Sequence, residues 1–273
     1  MRRSAERILT THTGSLPRPE NLTRLFVRRA LGESVDPNEI SAAGRDAVRA
    51  IVPKQAEAGI DVGNNGEQQR ESFFLYLKER LSGLGGSWQR PSRADVDRYP
   101  GFKKRWLEQT SNKARVSPNE GLPMAIGDVR YKDAAAIEAE CRDFKEVLSA
   151  TPNIFAEAFM NAPSPGIVAA AIKNQHYDTI GRYLQALGEA LRIEYETIVR
   201  AGFVLQIDAP DLALERHISY KDKPLAEFLE FVEAVVSEIN RALRNVAPDR
   251  VRLHVCWGNS ESPHDCDVPL EEI

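Results

Sequence analysis

The residues best suited to chemistry lie in Leu253-His254-Val255-Cys256-Trp257. In a β-strand, residues two apart share a face, so His254 and Cys256 would point the same way. Imidazole nitrogen and thiolate sulfur are preferred zinc donors, at about 2.0 and 2.3 Å. A lone His-x-Cys is a weak signal, because a buried cysteine commonly serves as a small apolar residue. His264 and Cys266 repeat the spacing. The four residues could close into one structural site, or the second pair could simply be polar surface before a helix start.

Two carboxylates and one turn add to the pattern. In Gln206-Ile207-Asp208-Ala209-Pro210-Asp211, a carboxylate at a strand end precedes a proline that fixes the turn. Asp208 could bind an amine or orient a reacting group, and could equally form an Asx-turn or a helix cap. In Asn65-Gly66-Glu67 the glycine lets backbone approach a ligand, while Glu67 faces a pocket or caps the next helix. Thr13-Gly14-Ser15-Leu16-Pro17 is a turn whose N–H groups and hydroxyl could hold a carboxylate or phosphate, although such turns also occur without a ligand. His12, His176 and His217 have no spacing that recommends them as ligands, and of the three only His12 lies beside that turn.

These residues need elements to position them. Short β-type runs at 7–12, 60–62, 124–129, 153–160, 203–208 and 250–257 alternate with helical patterns at 37–58, 67–81, 132–148, 178–201 and 224–246. Asp36 and Asp178 are expected N-caps, and Gly59 and Gly202 expected stops. The stretch 83–120 is irregular and rich in Gly, Pro, Arg and aromatics, as a lid or binding loop would be. Alternation of this kind predicts parallel strands with crossover helices. Two architectures compete, an open doubly wound sheet and a (β/α)8 barrel. The absence of a G-x-G-x-x-G after any strand weakens a dinucleotide-binding sheet. Polar residues gathered at strand ends favour the barrel, whose active sites collect on that face. Six strand–helix units are fewer than eight, so the expected fold is an α/β, TIM-type barrel that is incomplete here, a single domain over 1–273 truncated at its C-terminus.

Composition removes several classes. The 273 residues are 42% hydrophobic and 28% charged, with a formal net charge of −4. No apolar run approaches the roughly 20 residues of a membrane helix, and dispersed acidic charge argues against a nucleic-acid partner. Three cysteines do not make a disulfide framework, which points to a reducing cytoplasm.

Taken in order, the motifs resemble the cobalamin-independent methionine synthase family, in its catalytic C-terminal barrel and its short single-barrel relatives. The matching pieces are Thr10-Thr11-His12-Thr13-Gly14-Ser15-Leu16-Pro17, Gly59-Ile60-Asp61 through Gly66-Glu67, Gln206-Ile207-Asp208 and His254-Val255-Cys256. The resemblance implies that Gly14 and Ser15 hold the carboxylate of a homocysteine-like thiol. Glu67 and Asp208 would hold its amine, with Asp208 as the catalytic carboxylate that orients it. His254 and Cys256 would be two ligands of a zinc cofactor, and a Glu and a second Cys from beyond the last strand here would complete the set. The implied partners are a small-molecule thiol and a methyl donor, folate or another. Short relatives also resemble epoxyalkane:coenzyme M transferases. A non-catalytic barrel fragment, or a metal-free barrel of the uroporphyrinogen decarboxylase type, are the remaining alternatives.

Overall fold

The computed structural model describes residues 1–110, 121–258 and 262–273. Among the described residues there are seven strands: β1 (Val62–Gly63), β2 (Leu84–Trp88), β3 (Leu122–Ala125), β4 (Glu157–Pro163), β5 (Lys173–Asn174), β6 (Val204–Asp208) and β7 (Val251–His254). Four form a parallel sheet in the order β1-β4-β6-β7. Thr11 adds a parallel bridge to Val62 on its outer side. The fold is therefore mixed α/β with a parallel sheet, built by crossover helices.

The helices follow from amphipathic patterns. Ile180–Arg200 buries Tyr183, Leu184, Leu187, Leu191 and Ile198 along one stripe and packs against Leu225–Ala242. Pro37–Glu57 starts at Asp36, whose carboxylate accepts the Asn38 N–H at 2.9 Å. The cap of the long helix is Thr179 rather than Asp178, with its hydroxyl accepting from Arg182 N at 3.2 Å. Every residue of β6 is buried, as expected of a strand covered on both faces.

Three expectations need correction. The run 124–129 does not join the parallel sheet. It is seen as β3, antiparallel to β2 and parallel to β5 in a separate three-stranded sheet. Its Ile126 is 55% exposed, which a central parallel strand does not tolerate. The parallel sheet thus has four strands and the Thr11 bridge, not six consecutive units. Second, 67–81 is helical only at Leu77–Arg80. Glu67 has a φ of 53°, and Glu67, Gln68, Arg70 and Glu71 are buried, so this segment sends polar side chains inward instead of presenting a solvent face. Third, 83–120 is not wholly irregular: it holds β2, Ala94–Asp97 and Pro100–Thr110. Its residues 111–120, and 259–261 beyond β7, lie outside the described residues.

Candidate active site

Parallel strands bring their C-terminal ends to one rim. Register then decides which side chains meet. Asn161 of β4 is level with Gln206 of β6, which is level with Arg252 of β7. One layer further on, Pro163, Asp208 and His254 are level. The two layers are stitched together through Asp208. Its Oδ2 accepts from Asn161 Nδ2 at 2.8 Å and its Oδ1 from Gln206 Nε2 at 2.7 Å, and Oδ1 lies 3.0 Å from His254 Nδ1. Arg252 Nε donates to Gln206 Oε1 at 2.8 Å, and its guanidinium sits 3.8 Å from the Phe159 ring centroid, a cation–π contact.

Residues 13–16 and 64–67 close the rim on the other side. Gln206 Nε2 and Asn161 Nδ2 both donate to Thr13 O, at 2.6 and 3.0 Å. Asn64 Nδ2 donates to Asn161 Oδ1 at 2.8 Å. Gly14 has a φ of 141°, and a Cβ there would lie 2.4 Å from Asn161 Nδ2 and 2.5 Å from Glu67 Oε1, so only glycine fits. The N–H groups of this turn are partly used: Gly14 N donates to His12 Nδ1 at 3.2 Å and Leu16 N to Gly66 O at 3.1 Å. Ser15 Oγ donates to Glu67 Oε2 at 2.7 Å. Glu67 is buried beside Asp208. Burial first, then the charge of Asp208, pushes its carboxyl up to about 7.

Ser15, Glu67, Asp208, His254 and Cys256 all line one cavity of 330 Å³. Phe73, Phe74, Ile167 and Leu214 give it apolar walls, and Arg90 reaches it while paired with Glu215. A few polar groups converging in an apolar hollow is the usual form of a small-molecule site. At its mouth, hydrogen bonds to Asp208 and then to Cys256 raise His254 to about 10. Burial pushes the Cys256 thiol up, but the His254 hydrogen bond and the Gly258 backbone N–H outweigh it, and the thiol ends below its usual range. The pair is therefore a histidine that holds its proton beside a thiol that gives its own up more readily than usual. With metal stripped by a chelator, Cys256 is expected to be carboxymethylated at neutral pH well before Cys141, whose buried thiol is pushed up to about 12. His254→Gln removes the hydrogen bond that lowers the thiol and should slow the reaction. Equal labelling of Cys141 and Cys256, read by peptide mass spectrometry, would contradict this.

The structure brings Gly14, Ser15, Glu67, Asp208, His254 and Cys256 together. It does not bring in His264 and Cys266. His264 Nδ1 lies 3.2 Å from Asp267 Oδ1, and Cys266 Sγ accepts from Arg98 at 2.6 Å. Asn64, Asn161, Gln206 and Arg252 escaped sequence reasoning as functional residues. The signal they offered was a polar residue in or just after an apolar strand. His12 supports the Gly14 turn from behind, bound to Gln55 at 2.8 Å, and His176 pairs with Asp128 away from the cavity. The loop aromatics do not line it either: Trp88 donates to Ala171 O and Tyr99 to Asp265.

No protein-family model matches the chain. A methionine synthase of Sulfolobus acidocaldarius is 25% identical over 267 residues, covering 97% of this chain and 66% of that protein. One from Pyrococcus abyssi is 24% identical over 252 residues, covering 92% and 62%. Among solved structures, a B12-independent methionine synthase from Shewanella sp. W3-18-1, in complex with selenomethionine, superposes with a TM-score of 0.63 at 18% identity, over 91% of this chain and 61% of that one. The chain thus spans a little under two thirds of the length of the Sulfolobus protein. The chain is thus similar in sequence to methionine synthases and in fold to a B12-independent methionine synthase.

Proposed function

We propose that the protein is a zinc-dependent thiol S-methyltransferase whose acceptor is homocysteine or a close amino-acid thiol. The observation that carries this reading is the convergence of the serine of a glycine turn, two buried carboxylates and a His–Cys pair on one cavity. The names of the relatives agree with it, and the Shewanella protein holds selenomethionine, an amino acid of the product type. In the same reading the parallel sheet belongs to an incomplete (β/α)8 barrel within a single domain over 1–273, acting in the cytoplasm. No helix among the described residues is long and apolar enough to cross a membrane.

His254 and Cys256 fit part of a zinc site, since an imidazole and a thiolate in contact are two of its preferred donors. Catalytic zinc uses three protein ligands. Among the described residues, no metal-holding group of three includes His254 or Cys256. The resemblance assigns the remaining donors to a Glu and a Cys further along the family's chain. Bound zinc would supply acidity to a thiol, so that thiolate forms near neutral pH.

The chain's own residues do the rest. Asp208 lies beside His254 Nδ1, the kind of carboxylate partner that orients a ligating histidine. Glu67 and Asp208 hold the ammonium, with Ser15 and Gly14 toward the carboxylate. The two carboxylates orient the amino acid rather than move its proton. They also favour an amine over the sulfonate of coenzyme M, which their charge would repel.

The reading is tested by supplying zinc, homocysteine and a panel of methyl donors that includes a methylated folate, and measuring methionine by mass spectrometry. Methyl transfer to homocysteine supports it. Failure both to bind and to methylate homocysteine overturns it. A pH dependence follows from Glu67. Its carboxyl, pushed up to about 7, is neutral below that pH and anionic above it, so it attracts an ammonium only on the alkaline side. Homocysteine affinity is expected to rise about tenfold from pH 6 to pH 8, and Glu67→Gln should flatten the profile. A wild-type profile already flat between these values would contradict the assignment.

A further inference from the structure

A second cluster of ligating side chains lies away from the cavity. His217 Nε2 is 2.6 Å from Asp267 Oδ1, and His264 Nδ1 is 3.2 Å from the same oxygen. The three ligating atoms lie within 4.8 Å of one another. His217 is fully buried. Its Nδ1 has no hydrogen-bond partner, and the nearest carboxylate oxygen is Asp95 Oδ2 at 3.8 Å. Asp95 is held in place by Arg93, at 3.1 and 3.0 Å, and accepts from the His264 backbone N–H at 3.4 Å.

A neutral imidazole carries one N–H, and at His217 either placement is costly. A proton on Nε2 satisfies Asp267 but leaves a buried lone pair on Nδ1 facing the Asp95 carboxylate. A proton on Nδ1 suits Asp95 but sets the Nε2 lone pair against Asp267. For the neutral ring, a cation between Nε2, His264 and Asp267 removes the conflict: Nδ1–H turns to Asp95, and one ligating atom each of His217, His264 and Asp267 meets the ion. A carboxylate behind the far nitrogen of a ligating histidine is a common outer partner of zinc.

We propose that His217, His264 and Asp267 form a second divalent-metal site, separate from His254 and Cys256. Two imidazoles and one carboxylate suit zinc, and disfavour magnesium or calcium, which require oxygen ligands. Three protein ligands leave a fourth position. Water fills it, or Cys266, which with Asp265 and His217 makes an overlapping group. The ion ties together three segments that are remote in sequence: the turn after β6, the segment after β7 and, through Asp95, the helix Ala94–Asp97. Two of these segments also contribute Leu214 and Gly258 to the cavity wall, so the tie steadies the mouth of the cavity without entering it.

The test uses the whole chain carrying H254Q and C256S, which removes the donors at the cavity. After chelator stripping, zinc is titrated in competition with a chromogenic chelator, and cobalt is added in parallel for its absorption bands. One zinc per chain is expected, undisturbed by millimolar magnesium. On that background H264Q and D267N should each weaken zinc at least tenfold. Both side chains are about a third exposed or less, at 27% and 31%, so these variants avoid cutting into the core at His217, and circular dichroism confirms that they fold. The proposal is overturned if H254Q/C256S abolishes zinc binding altogether. It is also overturned if H264Q and D267N leave the affinity unchanged, or if C266S removes the metal while D267N does not.

Discussion

Arg70→Met is expected to destabilise the protein by about 3–5 kcal/mol, the usual cost of breaking a buried ion pair from one side. Arg70 is buried with Glu140, Arg80 and Glu194 beneath the candidate site. Its Nε donates to Glu140 Oε2 at 2.9 Å, Nη2 lies 2.8 Å from the same oxygen, and Nη1 donates to Asn161 O at 2.7 Å. Arg80 donates to Glu194 Oε2 at 3.1 Å and also pairs with Glu140, and Tyr131 donates to Glu194 at 2.5 Å. Two guanidiniums balance two carboxylates. Methionine matches much of the stem but leaves one negative charge in the core without its partner. Since folded domains are stable by roughly 5–15 kcal/mol, this single change would consume a large share. Urea unfolding followed by circular dichroism measures it. Adding Glu140→Gln restores charge balance and should recover part of the loss. A cost below about 1 kcal/mol for Arg70→Met alone would show that the network is not needed for stability. The same substitution frees Asn161 O at the end of β4, so it should also loosen the layer that holds Asp208.

The candidate site residues were legible because their types are uncommon at strand ends. His254 and Cys256, two apart on a β-type run, and Asp208 before a proline could be read without tertiary information. Their supporting residues could not. Asn161 and Gln206 are amides in otherwise apolar strands, and only the register that sets Asn161 level with Gln206 and Arg252 gives them meaning. Arg70, Glu140 and Glu194 come from three distant segments, and nothing local distinguishes Glu140 or Glu194 from residues on a solvated helix face. The fold was legible where periodicity was strong, as at Ile180–Arg200 and Leu225–Ala242. It was misread where polar residues turn inward, as in 67–81, and where a short apolar run pairs outside the main sheet, as β3 does. His217 gave no signal because its partners Asp267 and His264 lie some fifty residues away.

The central claim is that an amino-acid thiol lies in the cavity with its amine on Glu67 and Asp208. Asp208→Asn tests it most directly. The carboxylate accepts from Asn161 and Gln206 and lies beside His254 Nδ1. Asparagine keeps the shape, removes the charge, and sets an NH2 against groups that are themselves donors. Truncating one side of a buried, hydrogen-bonded charge pair costs about 2 kcal/mol or more, which is about 30-fold in Kd. Titration calorimetry of the zinc-supplied protein with homocysteine, and with 4-mercaptobutyrate, which has the same thiol and carboxylate but no amine, separates the amine from everything else. The account predicts that Asp208→Asn weakens homocysteine at least about 30-fold while 4-mercaptobutyrate changes little. Equal losses for the two ligands, or no loss for homocysteine, would contradict it.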